Sequence, residues 1–267
     1  MIDTINMISV FRRLCLEAGE IVMKFYNKEN LEIILKKDNS PVTLADKKAD
    51  DHISTGISEH FSAIPLITEE QAQTHSGKHD SFILVDPLDG TKEFISRNGD
   101  FTINIAYIEN GEPVLGIVYA PAKKRLFYTH PSYGAVEEYQ PFNEDSHNRL
   151  KLLEPRAPDN ENLIMVASKS HRNKDTEEYI ARYNVLELKG AGSSLKFCLL
   201  ASGEADIYPR LGKTMEWDTA AGQAILRASG GKVVKYEDYT PLIYGKTSYE
   251  NPFFVAYVPG VNLKDNK

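Results

Sequence analysis

One segment of the chain combines residue types that bind metals and phosphates: LVDPLDGTK, residues 84–92. An apolar run ends there in two carboxylates, Asp86 and Asp89, which together with the carbonyl oxygen of Leu88 could share a pair of hard cations. Gly90 lets the backbone approach a ligand closely, and the N–H groups around it could hold a phosphate at the start of a helix. The alternative is an ordinary turn that ends a strand, and this segment alone does not decide between the two interpretations.

Further acidic residues follow other predicted elements. Glu69 ends a short apolar run, Asp218 follows Trp217 at the start of a predicted helix, and Asp46 lies near the start of another helix. The local alternatives are a solvated loop for Glu69 and Glu70, and a helix N-cap worth about 1 kcal/mol for Asp218. So many carboxylates cannot persist together unpaired without strongly raised pKa values, whereas Mg²⁺ ions would neutralise them. The set therefore favours a metal site over separate local roles.

The elements that must position these residues have clear sequence signals in the first half. Apolar residues recur at helical spacing over residues 4–26, and a second helix begins near Thr43, which has capping-box spacing with Asp46. The Asn110-Gly111 pair predicts a hairpin turn, because this dipeptide accepts positive φ. Apolar runs that predict strands in this half are 31–35, 64–67, 82–85, 101–108, 114–119 and 125–139.

The second half alternates strands and helices. A polar stretch with three prolines, residues 140–160, predicts a boundary between units 1–145 and 155–267. Predicted strands lie at 163–167, 185–188, 205–208, 232–234 and 253–258. Predicted helices lie at 174–183, 193–202 and 217–229. The pattern predicts an α/β (α+β) architecture with two sheets, of which the first is mainly antiparallel and flanked by helices.

The composition argues against several classes of function. The 267 residues carry 31 basic and 38 acidic side chains, a net charge of −7, which disfavours general binding of nucleic acid or of anionic lipid. Two cysteines are too few for a disulfide framework or a structural zinc site. The sequence predicts neither a signal peptide nor a transmembrane segment. We therefore expect a cytoplasmic protein, with peripheral association with the cytoplasmic side of the inner membrane left open.

Several motifs, in their order along the chain, resemble the inositol monophosphatase superfamily of lithium-sensitive, Mg²⁺-dependent phosphatases. They are Asp38–Asp46 (DNSPVTLAD), Glu69-Glu70, Asp86–Thr91 (DPLDGT) and Trp217-Asp218. Within this superfamily, the chain is most similar to the 3′(2′),5′-bisphosphate nucleotidase branch. That branch carries Lys-Glu-Phe after the threonine of the motif, which corresponds here to residues 92–94 after Thr91. Other segments that fit this branch are 97–99, 116–121, 168–171, 192–198 and 203–210. The resemblance runs from about residue 5 to residue 258 and implies a layered αβαβα sandwich of the sugar-phosphatase type with two sheets.

The resemblance implies a metal site that holds two or three Mg²⁺ ions. One ion would bind Glu69, Asp86 and the carbonyl oxygen of Leu88. The second would bind Asp86, Asp89 and Asp218, so that Asp86 bridges the pair. Two cations so held would stabilise the attacking and leaving oxygens of an in-line displacement at phosphorus.

The resemblance also implies how the attacking water is activated. Thr91 and Asp46 would orient and deprotonate this water, and together with Glu69 they are the implied catalytic residues. Phosphoryl transfer needs mainly positioning and charge neutralisation, so no covalent nucleophile is required. Neither Cys15 nor Cys198 lies near a phosphate-loop motif.

The implied substrate contacts come from both halves of the chain. Those that could hold the ribose, the base or a 5′-phosphate are His171, Ser193, Ser194, Lys196 and Arg210. Those nearer the metals are Leu88, Asp89, Gly90, Thr91, Lys92 and Asp218. The alternatives are helix capping for Ser193 and Ser194 and a solvated helix face for Lys196. The chain departs from the branch at Thr68, where many relatives have serine, and at Leu211, where an aromatic residue is common.

These features predict an enzyme, a 3′(2′),5′-bisphosphate nucleotidase of sulfur metabolism that hydrolyses adenosine 3′,5′-bisphosphate to AMP and phosphate. The sulfated analogue, 3′-phosphoadenylyl sulfate, is a second expected substrate. One alternative is the same chemistry on an inositol phosphate or a fructose bisphosphate. Another is a phosphonucleotide-binding protein without catalysis, against which the presence of Asp46 and Thr91 counts. The expected partner is thus a small phosphorylated nucleotide, and the sequence leaves monomer and homodimer open.

Overall fold

Two long helices precede the first sheet. Helix α1 spans Thr4–Tyr26, the predicted range, and Asp3 caps it by accepting hydrogen bonds from two N–H groups of its first turn. Helix α2 spans Leu44–Phe61 and begins with the predicted capping box between Thr43 and Asp46. Between the helices lie two antiparallel strands, β1 Ile33–Leu35 and β2 Pro41–Thr43. The computed structural model describes residues 3–28, 33–35, 41–142, 149–170 and 172–264.

The first sheet is mainly antiparallel, as predicted. Within the described ranges it contains seven strands: β3 Leu66–Thr68, β4 Ser81–Asp89, β5 Thr102–Glu109, β6 Glu112–Ala120, β7 Arg125–His130, β8 Gly134–Glu138 and β9 Leu150–Leu152. They lie side by side in chain order, and β3 and β4 are the parallel pair. The β5–β6 hairpin turns at Asn110 and Gly111, whose φ angles of 52° and 79° are the positive values that this dipeptide accepts.

Strand β4 is buried on both faces of this sheet. Its alternate side chains point to opposite sides, so Ile83 and Val85 pack in one core with α1 and α2. Phe82 and Leu84 belong to a second core, to which the second half of the chain contributes. The continuous apolar run that precedes the first motif aspartate therefore reflects burial on two sides.

The second sheet comes from the second half of the chain. Its strands in the described part of the chain are β10 Leu163–Ser168, β11 Val185–Ala191, β12 Ile207–Arg210, β13 Lys232–Lys235 and β14 Phe254–Tyr257. Their order is β11-β10-β12-β14-β13, with β10 parallel to both of its neighbours and β14 antiparallel to both of its own. The shorter helices are α3 Thr91–Ile95, α4 Lys174–Ile180, α5 Leu195–Ala201 and α6 Ala220–Ala228.

Helices and sheets alternate in layers. α1 and α2 cover one face of the first sheet, α6 contacts both sheets, α5 packs on α6 and β12, and α4 also packs against β12. Helix α6 lies very close to β6 at Gly116. A Cβ at this position would lie only 2.4 Å from the carbonyl oxygen of Ala221, so only glycine fits there. The predicted mixed α/β architecture with two sheets is confirmed.

Three predictions about the organisation of the chain have different outcomes. Strand β9 lies inside the stretch predicted as a boundary, and the division into units 1–145 and 155–267 stays a prediction. In the ranges that the structure covers, no helix has both the length and the apolar character needed to cross a membrane. Residues 31–32, Asp38–Ser40 and His171 lie outside the described residues.

Candidate active site

The strand that carries the two motif aspartates continues beyond its predicted end. β4 runs through Asp86 to Asp89, and in its register with β5 Asp86 pairs with Asn104 and Asp89 with Thr102. Between these two pairs β4 contains one residue more than β5, which defines a β-bulge. Pro87 lies inside this bulge, where its missing N–H interrupts no regular ladder. The predicted strand end before Asp86 is therefore wrong, because the bulge accommodates the proline within the strand.

Three carboxylates meet beside the bulge. One oxygen from each of Asp86, Asp89 and Asp218 lies within 4.8 Å of the other two, the group of potential metal ligands found among the described residues. Asp86 is 1% exposed, and its Oδ1 accepts a 3.0 Å hydrogen bond from the N–H of Leu88. The structure thus brings together carboxylates that are separated by up to half of the chain.

Asp218 lies one residue before the N-cap of helix α6. That cap position is Thr219, and the carboxylate of Asp218 instead accepts a 2.8 Å hydrogen bond from the N–H of Met215. The local alternative, in which Asp218 caps the helix, is therefore wrong. Its side chain is available to the acidic cluster because the chain turns once more before the helix begins.

Ser194 connects the two halves of this cluster. Its N–H donates to Oδ2 of Asp89 at 2.7 Å, and its hydroxyl donates to the carbonyl oxygen of Asp218 at 2.7 Å. The amide of Asn104 donates to the same hydroxyl at 2.9 Å and lies 3.4 Å from Asp89. Ser194 precedes α5, yet its side chain makes no capping hydrogen bond. The capping alternative is therefore wrong for this residue, whose N–H orients Asp89 and whose hydroxyl bonds to the backbone of Asp218.

Burial and mutual repulsion disfavour the charged forms of the clustered carboxylates. Burial, followed by the charges of Glu69, Asp89 and Asp218, raises the pKa of Asp86 well above its ordinary value. Burial and the charges of Asp89 and Glu69 likewise raise the pKa of Asp218. Burial raises the pKa of Asp89 only to about 6, because the ammonium of Lys196 and a backbone N–H favour its charged form. Bound divalent cations would remove this electrostatic penalty.

Glu69 follows β3 and lines the cleft that lies over the acidic cluster. Its N–H donates to the carbonyl oxygen of Val85 at 3.1 Å, and its half-buried side chain lines the cleft, unlike a freely solvated loop residue. Its carboxylate is not among the three that lie within 4.8 Å of one another. After burial, its charge is the next cause that raises the pKa of Asp86, so it acts on the cluster.

Asp46 and Thr91 form a hydrogen-bonded pair. The Thr91 hydroxyl donates to Oδ1 of Asp46 at 3.1 Å and lies 3.4 Å from the carbonyl oxygen of Leu88. Oδ2 of Asp46 accepts from the N–H and the hydroxyl of Thr43, at 2.8 and 2.6 Å. Burial raises the pKa of Asp46, against the effect of the Thr43 hydrogen bonds, and the charge of Glu69 adds to the increase. The carboxylate is thus held in one orientation by the helix cap.

Gly90 connects the bulge to helix α3. Its φ of 91° lies in the left-handed region, and a Cβ there would lie 3.2 Å from the carbonyl oxygen of Asp100. Glycine therefore allows the sharp turn that directs the start of α3 at the cleft. Gly90, Thr91 and Lys92 all line this cleft, and their role as a phosphate cradle stays a prediction.

A cleft of about 270 Å³ lies over the acidic cluster. The predicted site residues that line it are Glu69, Asp89, Gly90, Thr91, Lys92, Ser193, Lys196, Arg210 and Asp218. Lining residues that the sequence analysis missed are Glu93, Ser168, Tyr208, Lys213, Thr214 and Thr219. The structure thus brings residues of both halves around one cavity.

Lys196 lies in the wall of this cleft and not on a solvated helix face. It is 4% exposed, and its Nζ donates to the carbonyl oxygen of Ser193 at 2.6 Å and lies 5.2 Å from the centre of the Tyr208 ring. Burial lowers the pKa of Lys196 to about 8, although the charge of Asp89 acts in the opposite direction. The solvated alternative is therefore wrong.

Ser193 and Arg210 make backbone contacts near Lys196. The Ser193 hydroxyl donates to the carbonyl oxygen of Asp100 at 3.1 Å, and its φ is 45°. Arg210 Nη2 donates to the carbonyl oxygen of Lys213 at 2.9 Å. These contacts orient the two side chains at the wall of the cleft.

The sequence model of the inositol monophosphatase family matches residues 3–252. The chain belongs to the inositol monophosphatase family. Among curated relatives, the 3′(2′),5′-bisphosphate nucleotidase CysQ of Salmonella typhimurium is 40% identical over 249 residues, covering 91% of this chain and 96% of the relative. The protein of the same name from Buchnera aphidicola is 41% identical over 239 residues, covering 86% and 87%.

Solved structures of the inositol monophosphatase family have the same fold. CysQ from Bacteroides thetaiotaomicron, described as a bacterial member of the family, is 39% identical and has a TM-score of 0.78, covering 95% of this chain and 97% of that chain. An inositol monophosphatase from Zymomonas mobilis has a TM-score of 0.76 at 22% identity, covering 98% and 96%. The second likeness concerns the fold alone.

The acidic cluster fits the metal that this family uses. Inositol monophosphatases are generally Mg²⁺-dependent, and Mg²⁺ prefers carboxylate and carbonyl oxygens as ligands. Asp86, Asp89 and Asp218 supply three carboxylates within reach of one another, with raised pKa values that a cation would reverse. The donor set therefore suits the hard cation that the sequence predicted.

Three residues that the sequence did not identify as part of the site lie next to residues of the site. Asn104 orients Ser194 and Asp89, and Glu93 accepts a 2.5 Å hydrogen bond from the hydroxyl of Ser170. Asp100 is buried and supplies the carbonyl oxygen against which Gly90 packs. Its position directly after the 97–99 motif was a usable signal, whereas nothing in the local pattern distinguishes Asn104 from other strand residues.

Proposed function

We propose that this protein hydrolyses the 3′-phosphate of adenosine 3′,5′-bisphosphate and releases AMP and phosphate. The observation that carries the proposal is the pairing of Thr91 with Asp46 next to a cluster of three carboxylates. Thr91 and two of these carboxylates line one cleft. The relatives named bisphosphate nucleotidase, at about 40% identity, favour this substrate over other phosphate esters. 3′-Phosphoadenylyl sulfate is the second substrate that we propose.

We assign the metal ligands to the acidic cluster and its neighbours. Asp86, Asp89 and Asp218 would hold Mg²⁺ together with Glu69 and the carbonyl oxygen of Leu88. When bound, two cations stabilise the charge on the attacking and leaving oxygens of the displacement. The N–H groups of Ser194 and Met215 donate hydrogen bonds to Asp89 and Asp218, respectively. These bonds hold the two carboxylates in place before any ligand enters.

Thr91 and Asp46 would prepare the attacking water. Because the Thr91 hydroxyl donates its proton to Asp46, its oxygen keeps lone pairs that can accept a hydrogen bond from water. Asp46 is the eventual proton acceptor in this proposal, since its carboxylate is buried and burial raises its pKa. The capping box fixes the orientation of this base, so Thr43 supports catalysis as well as the helix.

A cationic part of the cleft wall would bind the rest of the nucleotide. Lys196, Arg210 and Lys213 line it and can attract the 5′-phosphate. The role proposed for His171 in the same pocket concerns a residue outside those described. Tyr208 also lines this wall, and its ring lies beneath the Lys196 ammonium. Acidic and cationic side chains thus line one cleft, which suits a substrate with two phosphates.

A comparison of substrates tests the proposal. We expect adenosine 3′,5′-bisphosphate to be hydrolysed with a higher kcat/KM than inositol 1-phosphate or fructose 1,6-bisphosphate, in a reaction that requires MgCl₂. Faster hydrolysis of inositol 1-phosphate would favour the first alternative, a sugar-phosphate phosphatase. Nucleotide binding without any phosphate release would favour the second, a non-catalytic binding protein.

The number of ions, the choice between monomer and homodimer, and a cytoplasmic location with or without peripheral membrane association remain predictions. Phosphate-release assays at varied Mg²⁺ address the first of these. Light scattering of the purified protein addresses the second, and fractionation of cells addresses the third.

A further inference from the structure

The loop after β3 folds back onto the end of that strand. Glu69 N–H bonds to β4, whereas the N–H and the carbonyl oxygen of Thr68 face the loop. The Thr68 N–H donates to the hydroxyl of Thr74 at 3.1 Å, and the Thr68 carbonyl accepts a 2.7 Å hydrogen bond from Nε2 of His75. Because a carbonyl oxygen only accepts, the Nε2 atom of His75 carries the proton.

The imidazole of His75 also contacts the second half of the chain. It stacks on the indole of Trp217, with 5.0 Å between the ring centres and 29° between the planes. The ring of Tyr249 lies 5.7 Å from it on a tilted plane. One side chain therefore contacts the residue before Glu69 through a hydrogen bond and the residue before Asp218 through ring stacking.

The segment that carries Trp217 is anchored on its other side as well. The buried carboxylate of Glu216 accepts hydrogen bonds from the N–H groups of Gly245 and Lys246, at 2.8 and 2.9 Å. The N–H of Glu216 donates to the carbonyl oxygen of Tyr249 at 2.7 Å. These bonds hold the segment on the side away from His75, so His75 is the contact that faces β3.

We propose that His75 is a positioning residue that sets the separation of Glu69 and Asp218, and thereby the affinity of the site for Mg²⁺. The inference rests on the metal ligands assigned in the proposed function. His75 touches neither the substrate nor the metal in this proposal, and acts only through Thr68 and Trp217. Removing residues that orient metal ligands typically lowers metal affinity about 10- to 100-fold.

Three variants separate the two contacts of His75. His75→Ala removes both, His75→Gln keeps an N–H donor without the ring, and His75→Phe keeps a ring against Trp217 without the donor. His79→Ala is the matched control, because His79 lies in the same loop and contacts the carbonyl of Ser76 instead. Circular dichroism and melting curves identify any variant that fails to fold, and the two conservative variants then carry the test.

Binding of Mg²⁺ is measured without turnover, through the fluorescence of Trp217, the single tryptophan of the chain. We expect the midpoint of a MgCl₂ titration to rise about tenfold in His75→Ala, by less in the two conservative variants, and not in the control. The MgCl₂ concentration for half-maximal phosphate release should rise in parallel, while kcat at saturating MgCl₂ stays within about threefold of wild type.

The outcomes separate this inference from the proposed function. A midpoint for His75→Ala within twofold of wild type, or a wild-type protein that responds to MgCl₂ in neither assay, would overturn the role of His75. A fall in kcat that saturating MgCl₂ does not restore would do so too. A raised midpoint in a protein that releases no phosphate from any substrate would support His75 and refute the phosphatase.

Discussion

Asp86 and Asp100 are both almost completely buried, yet their surroundings shift their pKa values in opposite directions. Asp100 accepts hydrogen bonds from the ammonium groups of Lys123 and Lys169, at 2.7 and 2.5 Å. Although burial opposes the charged form, these contacts lower the pKa of Asp100. Asp86 faces carboxylates of the cluster, and burial and their charges raise its pKa. The charge of the first carboxylate is balanced within the protein, whereas that of the second would be balanced by a cation in the proposed metal site.

The comparison distinguishes a carboxylate that is paired with lysines from one that is surrounded by other carboxylates. Two lysines lie around Asp100, so the chain does provide cationic side chains for a buried aspartate. A lack of such side chains therefore does not explain the cluster of like charges at Asp86. Repulsion in the cluster costs free energy of folding until metal is bound. Variants at the two sites should therefore change stability in opposite directions.

The largest effect is expected for Asp86→Asn. Loss of the bridging carboxylate should weaken the binding of both cations. The kcat/KM should fall by about 10³-fold or more, since stabilisation of transition-state charge by a metal is worth several kcal/mol. The melting temperature of the metal-free protein should rise, because one of the repelling charges is removed. Asp100→Asn should instead lower the melting temperature. Near-normal phosphate release by a folded Asp86→Asn protein would refute the two-metal assignment.

Thr91→Ala should reduce kcat by about 10²-fold with little change in KM, because its hydroxyl orients the water in the transition state. Thr91→Ser keeps the hydroxyl that donates to Asp46 and should retain most of the activity. Steady-state kinetics at saturating MgCl₂ measure both parameters. An increase in KM at constant kcat would make Thr91 a simple substrate contact and remove it from the chemistry.

Substrate preference should depend on Lys196. A buried charge-assisted contact with the 5′-phosphate is worth about 1.5–3 kcal/mol, so adenosine 3′-phosphate should be about 10- to 150-fold worse in kcat/KM. Lys196→Met preserves the packing against Tyr208 and should erase most of this preference, with slow hydrolysis of the monophosphate nearly unchanged. AMP should not be cleaved. Equal rates for the two substrates with wild-type enzyme would contradict a 5′-phosphate pocket.

The smallest expected effect is on the pH dependence of stability in EDTA. Because the folded-state pKa of Asp89 is about 6, above its ordinary 3.8, its contribution is complete below about pH 4 and is lost as the pH rises through 6. This loss is at most about 3 kcal/mol. The lowered pKa of Asp100 has the opposite sign, with stability present above pH 3.8 and lost as the pH falls below it.

Urea denaturation at pH 5 and pH 7.5 measures this difference. Wild type without metal should lose more stability between these pH values than Asp89→Asn, and saturating MgCl₂ should reduce the loss. Asp100→Asn should leave the loss unchanged, because Asp100 is charged at both pH values. An identical loss in wild type and Asp89→Asn would show that Asp89 does not contribute to it.

The sequence by itself determined the features that depend on near neighbours. Helix α1, the capping box at Thr43 and the hairpin at Asn110-Gly111 follow from spacing and backbone preferences over a few residues. The acidic positions of the cluster could be named for the same reason, since each follows a short apolar run or begins a helix. Local rules suffice where the contacts are local.

Tertiary structure alone decided how these residues meet. The bulge that keeps Pro87 within β4, the role of Ser194 between Asp89 and Asp218, and the burial of Lys196 all depend on residues far apart in the chain. His75 lies in a loop without a motif, and its contact with Trp217 joins residues far apart in the chain. Chain spacing carries little information on such contacts, because packing between separate segments, and not the preference of any one segment, selects them.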